Sequence, residues 1–180
     1  FTFGAVGRLD PIKRFDLLIQ SYAQFAAQVP DTQLIIIGDG PQYMHLQTMI
    51  TQATMAHAIR IIRGVDALDY YAQFDCFVQP SAQEGISLAL LEAMAHGCPV
   101  IACRPLGYDH PVITNEYNGI LLNDDNTLIQ QLMTQYGRLK NDAHLRAVLA
   151  QNGYKTVKSR FTMQACAQQY DVLLKRYAKS

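Results

Sequence analysis

The segment QLIIIG at residues 33–38 is an uninterrupted apolar run of strand length that ends at a glycine. Such a run is typical of a parallel-sheet strand, because only a strand covered by helices on both faces can be apolar at every position. The chain contains six short runs that we interpret as strands: FTFGAV (1–6), QLIIIG (33–38), IRII (59–62), DCFVQP (75–80), PVIAC (99–103) and GILL (119–122).

Longer segments with helical spacing separate most of these strands. Residues 12–29 repeat apolar side chains at positions 15, 18, 19, 22, 25, 26 and 29, which is the spacing of one helix face. Further helices are predicted from Pro41 to about Ala56, over 66–74, over 86–97 with Gly97 as the C-cap, and over 126–140, 142–158 and 162–178. This order predicts an α/β fold: a doubly wound, parallel, six-stranded Rossmann-like sheet with extra C-terminal helices.

Composition narrows the possible classes of protein. The 180 residues suit one domain, 1–180, and 49% of them are hydrophobic, which is enough for a substantial core. Fifteen Lys and Arg balance fifteen Asp and Glu, so we do not expect a general nucleic-acid-binding protein. No apolar run approaches the ~20 residues of a membrane-spanning helix. The N-terminal FTFGAVGRLD lacks the layout of a signal peptide, and we interpret the chain as a fragment cut just before a strand.

Cysteine and histidine usage points to neither a metal site nor a disulfide framework. Cys76, Cys98, Cys103 and Cys166 show no C-x-x-C spacing, and no cluster of Cys and His resembles a zinc site. We therefore expect free, reduced thiols and a cytoplasmic location. The five histidines are scattered, and we interpret them as surface or capping residues, with His110 expected to lie nearest the ligand pocket.

The loop after the first predicted strand, GRLDPIKR at residues 7–14, carries two cations. Arg8 and Lys13 bracket the predicted start of the first long helix, and Gly7 opens the loop. Ligands of doubly wound sheets bind beyond the carboxyl ends of the strands, and a helix N-terminus there adds partial positive charge. Two cations in this position suit a diphosphate. The alternative is a solvated loop with surface charges.

The glycines of this region do not form a dinucleotide-binding fingerprint. Such a fingerprint needs G-x-G-x-x-G and an acidic residue about 20 residues further on. Here only Gly4 and Gly7 are present, and Asp39 comes more than 30 residues later. Binding of NAD is therefore not favoured.

The densest signal is PSAQEGISLALLEAMAHGCPV at residues 80–100. The amides of Gly85, Ile86, Ser87 and Leu88 are predicted to be the unsatisfied donors of a helix start, where they could hold phosphate oxygens. Glu84 lies in the loop. Glu92 is the only acid of an otherwise apolar helix, about one sugar length further along the axis, and a carboxylate there must be paired or hydrogen-bonded.

Two other interpretations of the glutamates are alternatives to a role in ligand binding. Glu92 could form a purely structural ion pair. Two neighbouring carboxylates can also indicate glycoside hydrolysis, although a hydrolase has no need for phosphate-binding amides between them.

Three stretches of the chain carry a resemblance to a known family. VGRLDPIKRFDLLIQSY (6–22) contains a G-R-L…K-x-x-x-x-L-I pattern, IIIGDGP (35–41) has a strand and G-x-G-P turn, and SAQEGISLALLEAMAHGCPVIA (81–102) has two glutamates separated by seven residues and closed by E-A-M-A-x-G-x-P-V-I-A. NGILL (118–122) fits the sixth strand. Over residues 1–123 the chain resembles the C-terminal, nucleotide-sugar-binding half of a family 4, or group 1, glycosyltransferase of the GT-B fold.

The resemblance implies a role for each candidate residue. Arg8 and Lys13 would clamp the donor diphosphate, and the amides of residues 85–88 would support it. Glu84 would contact the donor sugar or stabilise charge near its anomeric carbon, and Glu92 would hold the ribose hydroxyls. The base would lie at the Arg63–Gly64 loop.

The resemblance also implies the reaction and the partners. Such enzymes transfer a sugar from a nucleotide-diphosphate donor with retention and without a metal or other cofactor, and UDP is the nucleotide expected from the family. The acceptor would be a cell-surface polysaccharide, glycolipid or teichoic-acid-type polymer. The N-terminal GT-B domain of the same polypeptide would carry the acceptor site, so this domain alone is expected to bind the donor without catalysing transfer. Any membrane association would come from that missing part.

One stretch departs from the family pattern. Many relatives have Gly-Gly-x-P-E after the fifth strand, whereas this chain has RPLGYDHPVI at residues 104–113, in which Gly107–Tyr108 resembles a Tyr-Gly-Pro variant of some bacterial transferases. The sugar-side contacts therefore stay open. The alternatives are a nucleotide-sugar-binding or regulatory module without transferase activity, and a GT-B relative with different chemistry, such as an epimerase or phosphorylase.

Overall fold

In the computed structural model, which describes residues 1–53, 55–104 and 110–177, six strands form one parallel sheet in the order β3-β2-β1-β4-β5-β6. The strands are β1 (Thr2–Val6), β2 (Gln33–Ile37), β3 (Ile59–Ile62), β4 (Cys76–Gln79), β5 (Val100–Arg104) and β6 (Ile120–Asn123). The helices are α1 (Phe15–Ala26), α2 (Tyr43–Gln52), α3 (Leu88–Ala95), α4 (Leu128–Asn141), α5 (Ala143–Arg160) and α6 (Met163–Tyr177).

The sheet is buried on both faces, as the apolar run of β2 predicts. Leu34 and Ile36 belong to a core that includes α1, α2 and α4, whereas Ile35 and Ile37 belong to a second core that includes α3. Successive strand residues point to opposite faces, so an all-apolar strand requires two helical layers. The predicted doubly wound Rossmann-like fold is confirmed.

The strand order reverses between β1 and β4, which lie side by side although β2 and β3 intervene in the chain. Such a reversal leaves a crevice at the carboxyl edge of the sheet, because the connections on its two sides run in opposite directions. Gly4 is explained by packing here: a Cβ at this position would lie 2.2 Å from the Phe74 ring, which fills the space.

The three helices predicted before β4 differ from the structure. The helix predicted over 12–29 is a 3₁₀ turn at Pro11–Lys13 followed by α1, because Arg14 between them is left-handed with φ +53°. The helix predicted from Pro41 begins at Tyr43 and ends at Gln52, since Ala53 is extended. The single helix predicted over 66–74 consists of two 3₁₀ turns, at Ala67–Asp69 and Tyr71–Gln73.

The C-terminal helices contribute to both cores: the buried residues of α4 and Leu149 of α5 belong to the first, and Val157 of α5 packs against the second. Leu132, Tyr136 and Leu139 of α4 are fully buried, and α4 packs on α1. Helix α5 packs on α3 and α4, while α6 contacts α5. In the described ranges no helix combines the length and the apolar character needed to cross a membrane.

Candidate functional site

The loops that follow β1 and β4 meet at the point where the strand order reverses. The Ala82 amide donates a hydrogen bond to the Ile12 carbonyl at 2.9 Å. Beside this bond, the Lys13 ammonium donates to Glu84 Oε1 in an ion pair whose side chains are only 25% and 18% exposed. Two residues predicted from separate motifs, 71 positions apart, are therefore direct partners.

The β1 loop is fixed from its other side by the loop after β2. The Gly7 amide donates to the Ile37 carbonyl at 3.0 Å, and the amide of the fully buried Leu9 donates to the Asp39 carbonyl at 2.9 Å. The two loops approach so closely that a Cβ on Gly38 would lie 1.9 Å from the Gly7 oxygen. This contact holds the backbone that presents Arg8 and Lys13.

Arg8 and Lys13 do not bracket the start of α1 as predicted. Arg8 Nε lies 2.8 Å from Asp10 Oδ2, and its side chain is 72% exposed. Lys13 is instead half-buried against Glu84. The reason is local: the 3₁₀ turn and the left-handed Arg14 separate both cations from the first turn of α1. Lys13 is the more buried member of the predicted clamp.

The helix start after β4 is also displaced from its predicted position. Ser87 is extended and buried, and its Oγ accepts a hydrogen bond from the Leu90 amide at 3.3 Å, which makes it the N-cap of α3. Among the described residues, the amides of Leu88 and Ala89 are the donors of this helix start without a partner, whereas Gly85 and Ile86 precede it in the loop. Serine is favoured as an N-cap because its hydroxyl satisfies one of the orphan amides. The helix ends at Ala95 with His96 as its C-cap, so Gly97, predicted as the C-cap, is instead the left-handed residue that follows it, with φ +71°.

Glu92 lies in the middle of α3, half-buried, and its partner is a tyrosine. The hydroxyl of Tyr71 donates to Glu92 Oε2 at 2.8 Å. Within the described ranges no cation pairs with Glu92. The ion-pair interpretation is thus replaced by a neutral donor, which leaves the negative charge of the carboxylate uncompensated.

The predicted base-binding loop lies at the carboxyl end of β3, which two strands, β2 and β1, separate from the β4 that precedes Glu84. Arg63 is exposed, its Nη2 lies 2.9 Å from Asp39 Oδ2, and its guanidinium stacks 4.2 Å from the centre of the Tyr43 ring. This hydrogen bond from Arg63 holds the pKa of Asp39 below its usual value. The loop that contains Arg63 and Gly64 is therefore attached to the β2 loop, which in turn holds the β1 loop.

His110 approaches the same crevice. Its Nδ1 accepts hydrogen bonds from the amides of Val112 and Ile113 at 3.2 and 3.1 Å, so the ring carries its proton on Nε2. Burial lowers the pKa of His110, and the negative charge of nearby Glu84 opposes the shift. The neighbouring Gly107–Tyr108 lies outside the described residues.

Sequence reasoning missed three residues near the candidate site: Ser81, Tyr71 and Asp39. The hydroxyl of Ser81 is buried at the end of β4 and has no hydrogen-bond partner among the residues with described positions. The roles of Tyr71 and Asp39 as partners of Glu92 and Arg63 were also not anticipated. Both are side-chain contacts between segments more than 20 residues apart, and no local pattern signals them. The ring of Tyr71 is buried.

No group of three or more His, Cys, Asp or Glu side chains that could hold a metal ion occurs in the part of the chain that the structure describes. The charged groups at the crevice are cations and single carboxylates. Their layout is suited to an anionic ligand that has both phosphate and hydroxyl groups.

The fold and this crevice define a Rossmann-like domain with its site at a topological switch point. The family model "Glycosyl transferases group 1" matches residues 1–156. The chain therefore belongs to the group 1 glycosyl transferases, as the sequence motifs predicted.

Individual relatives agree with this assignment. The chain is 30% identical over 158 residues to a GDP-mannose-dependent α-(1-6)-phosphatidylinositol monomannoside mannosyltransferase of Mycolicibacterium smegmatis, an alignment that covers 82% of this chain and 41% of the relative. The C-terminal domain of a glycosyl transferase group 1 family protein (LpcC) from Francisella tularensis superposes with a TM-score of 0.79 at 28% identity, over 91% of this chain and 87% of that one.

A third relative was solved with a nucleotide sugar. Anabaena Alr3699/HepE in complex with UDP-glucose superposes with a TM-score of 0.85 at 25% identity, over 98% of this chain and 49% of that chain. The chain spans less than half the length of the first full-length relatives that it matches.

Proposed function

We propose that this chain is the donor-binding domain of a retaining glycosyltransferase that takes a nucleotide-diphosphate sugar. The observation that carries the proposal is the meeting of Lys13, Glu84 and the start of α3 at the switch point of the sheet. A diphosphate suits this position because an ammonium and free helix amides both donate to phosphate oxygens.

The pairing of Lys13 with Glu84 is compatible with a diphosphate contact. An ammonium has three N–H donors, and Glu84 Oε1 accepts one of them, so the others are free for phosphate oxygens. Arg8 is exposed and can swing toward a ligand. The amides of Gly85, Ile86, Ser87 and Leu88, extended by that of Ala89, would support the same phosphates.

The remaining candidates define the two ends of the donor. Glu92 would accept hydrogen bonds from the ribose hydroxyls, and the base would contact Arg63 and Gly64. Glu84 would lie near the sugar, where it could bind a hydroxyl or stabilise positive charge at the anomeric carbon. During transfer the bond between that carbon and the β-phosphate oxygen breaks, the acceptor hydroxyl oxygen bonds to the same face, and the hydroxyl proton passes to the departing diphosphate. Lys13, Arg8 and the amides would stabilise the departing diphosphate.

The base of the donor and the acceptor are proposed from the relatives and the family resemblance. We favour UDP, since Alr3699/HepE was solved with UDP-glucose, although the mannosyltransferase relative is GDP-mannose-dependent. The acceptor would be a polysaccharide, glycolipid or teichoic-acid-type polymer bound by an N-terminal domain of the same polypeptide. The four cysteines are unpaired, which fits a reducing, cytoplasmic setting.

Calorimetry with UDP, GDP and their sugars tests the proposal directly. We expect the 180-residue chain to bind one nucleoside diphosphate, and Glu92→Gln to weaken that binding by about tenfold or more, because charged hydrogen bonds to hydroxyls are worth about 1.5–3 kcal/mol. The matched control is Glu84→Gln, which should leave nucleoside diphosphate affinity nearly intact, since Glu84 is proposed to contact the sugar. Loss of binding in the control but not in Glu92→Gln would mean that the two roles are reversed.

Nucleoside diphosphate binding is expected to need no divalent cation. The counter-charge would come from Lys13, Arg8 and the amides of the α3 start. We expect the dissociation constant to change less than about threefold, or about 0.7 kcal/mol, when EDTA is added. A loss of more than about tenfold that added Mg²⁺ restores would contradict this proposal.

A further inference from the structure

The carboxylate proposed to hold the ribose is itself held by a residue outside the binding motifs. Tyr71 belongs to the 3₁₀ turn Tyr71–Gln73 between β3 and β4, and its hydroxyl donates to Glu92 Oε2 at 2.8 Å. Among the described residues, this is the one hydrogen bond made by the Glu92 carboxylate. Oε2 is therefore engaged, and Oε1 is left to accept from a ligand.

Tyr71 is fixed by contacts that do not depend on Glu92. Its side chain is 1% exposed, and its ring makes an edge contact with Phe74 at 5.9 Å and a tilted contact with Phe77 at 6.1 Å. His96 stacks on its remaining face at 5.3 Å. A donor held this firmly fixes the orientation of its acceptor, because a hydrogen bond weakens steeply when it bends.

The choice of a tyrosine also preserves the charge of Glu92. A lysine or arginine partner would neutralise the carboxylate and compete with a ligand for its lone pairs. A phenol donates one proton and stays neutral, and burial raises the pKa of Tyr71 further above its usual value. The phenol therefore keeps the proton that it donates to Oε2.

We propose that Tyr71 is a positioning residue that orients Glu92 toward two adjacent hydroxyls of a ligand ribose. The inference rests on the proposed function of Glu92, and it adds a residue that contacts no substrate. In its absence the Glu92 side chain could rotate within α3, and the two hydroxyls would meet a mobile carboxylate at a higher cost in side-chain entropy.

The test compares Tyr71→Phe with Tyr22→Phe by calorimetry. Each variant removes one buried phenol hydroxyl and keeps the ring. The Tyr22 hydroxyl, however, is hydrogen-bonded to Thr32 Oγ1 at 3.0 Å, away from the crevice. The ligands are UDP or GDP, whichever the wild type binds more tightly, and its 2′,3′-dideoxy analogue. We expect Tyr71→Phe to weaken binding of the ribonucleotide about 5- to 10-fold and to leave the affinity for the dideoxy analogue within twofold of wild type. Tyr22→Phe should change neither affinity.

The outcomes separate the inference from the function on which it rests. Equal weakening of both nucleotides by Tyr71→Phe would show a merely structural role and overturn the inference. An unchanged affinity in Tyr71→Phe, with Glu92→Gln impaired, would also overturn it while leaving the proposed function intact. Additive losses of affinity in the double variant Tyr71→Phe/Glu92→Gln would also overturn the inference, because Tyr71 should have no effect once the carboxylate is gone. A wild type that binds neither nucleotide would overturn the function and the inference together.

Discussion

Replacing Lys13 by methionine is expected to weaken nucleoside diphosphate binding by about 10- to 100-fold, or roughly 1.5–3 kcal/mol. The substitution keeps the length and apolar stem of the side chain but removes the ammonium. It also leaves the half-buried Glu84 carboxylate without its partner, so that an unneutralised negative charge would lie between the sugar and the diphosphate. Calorimetry on the 180-residue chain measures the effect.

Two further variants distinguish the causes of that loss. Arg8→Ala should weaken binding by less, about 3- to 10-fold, because Arg8 is mostly exposed and is already paired with Asp10. The double variant Lys13→Met/Glu84→Gln should recover part of the lost affinity, since it removes the repelling carboxylate. If affinity were unchanged in both Lys13→Met and Arg8→Ala, the cationic clamp would have to be abandoned.

Replacing Gly38 by alanine is expected to destabilise the fold by about 2–4 kcal/mol. The added methyl group would lie 1.9 Å from the Gly7 carbonyl oxygen, and neither backbone can move freely. The Gly7 amide is bonded to Ile37, and the Gly38 amide is bonded to Ile62. A melt followed by far-UV circular dichroism should show a decrease in Tm of about 5–15 °C.

Gly85→Ala is the matched control for this prediction. A Cβ at Gly85 would have no heavy atom within 4 Å, although Gly85 lies in the same crevice. We expect its stability to stay within about 0.5 kcal/mol of the wild type. Equal stability of Gly38→Ala and Gly85→Ala would mean that the β1 and β2 loops are not held in contact as the structure places them.

Gly38→Ala also tests whether the β2 loop supports the neighbouring loops of the site. The chain of contacts runs from Arg63 through Asp39 to Leu9 and so to the loop of Lys13. Three connections that follow three different strands are thereby joined at one edge. Displacing the β2 loop is expected to disturb the proposed base and diphosphate contacts together, because they share this support.

The amino-acid sequence by itself determined the strands, the parallel sheet and the family. Period-2 and period-3.6 patterns are local properties of a chain, so the apolar run at Gln33–Ile37 and the helix after Ser87 could be read without knowledge of their neighbours. The motif of residues 81–102 also places Glu84 and Glu92 in order along one loop and helix. Helix starts were predicted less well, because a left-handed Arg14 and an N-cap at Ser87 depend on backbone angles that spacing does not specify.

Only the tertiary structure decided which side chains meet. Lys13 and Glu84 are 71 residues apart, Tyr71 and Glu92 are 21 apart, and Arg63 and Asp39 are 24 apart. Each pair forms because the parallel sheet brings the carboxyl ends of neighbouring strands to one edge, or places a connecting turn against a helix. The residue types at these positions are ordinary in isolation. Their partners, and so the charges that a ligand would meet, follow from the strand order and not from any local pattern.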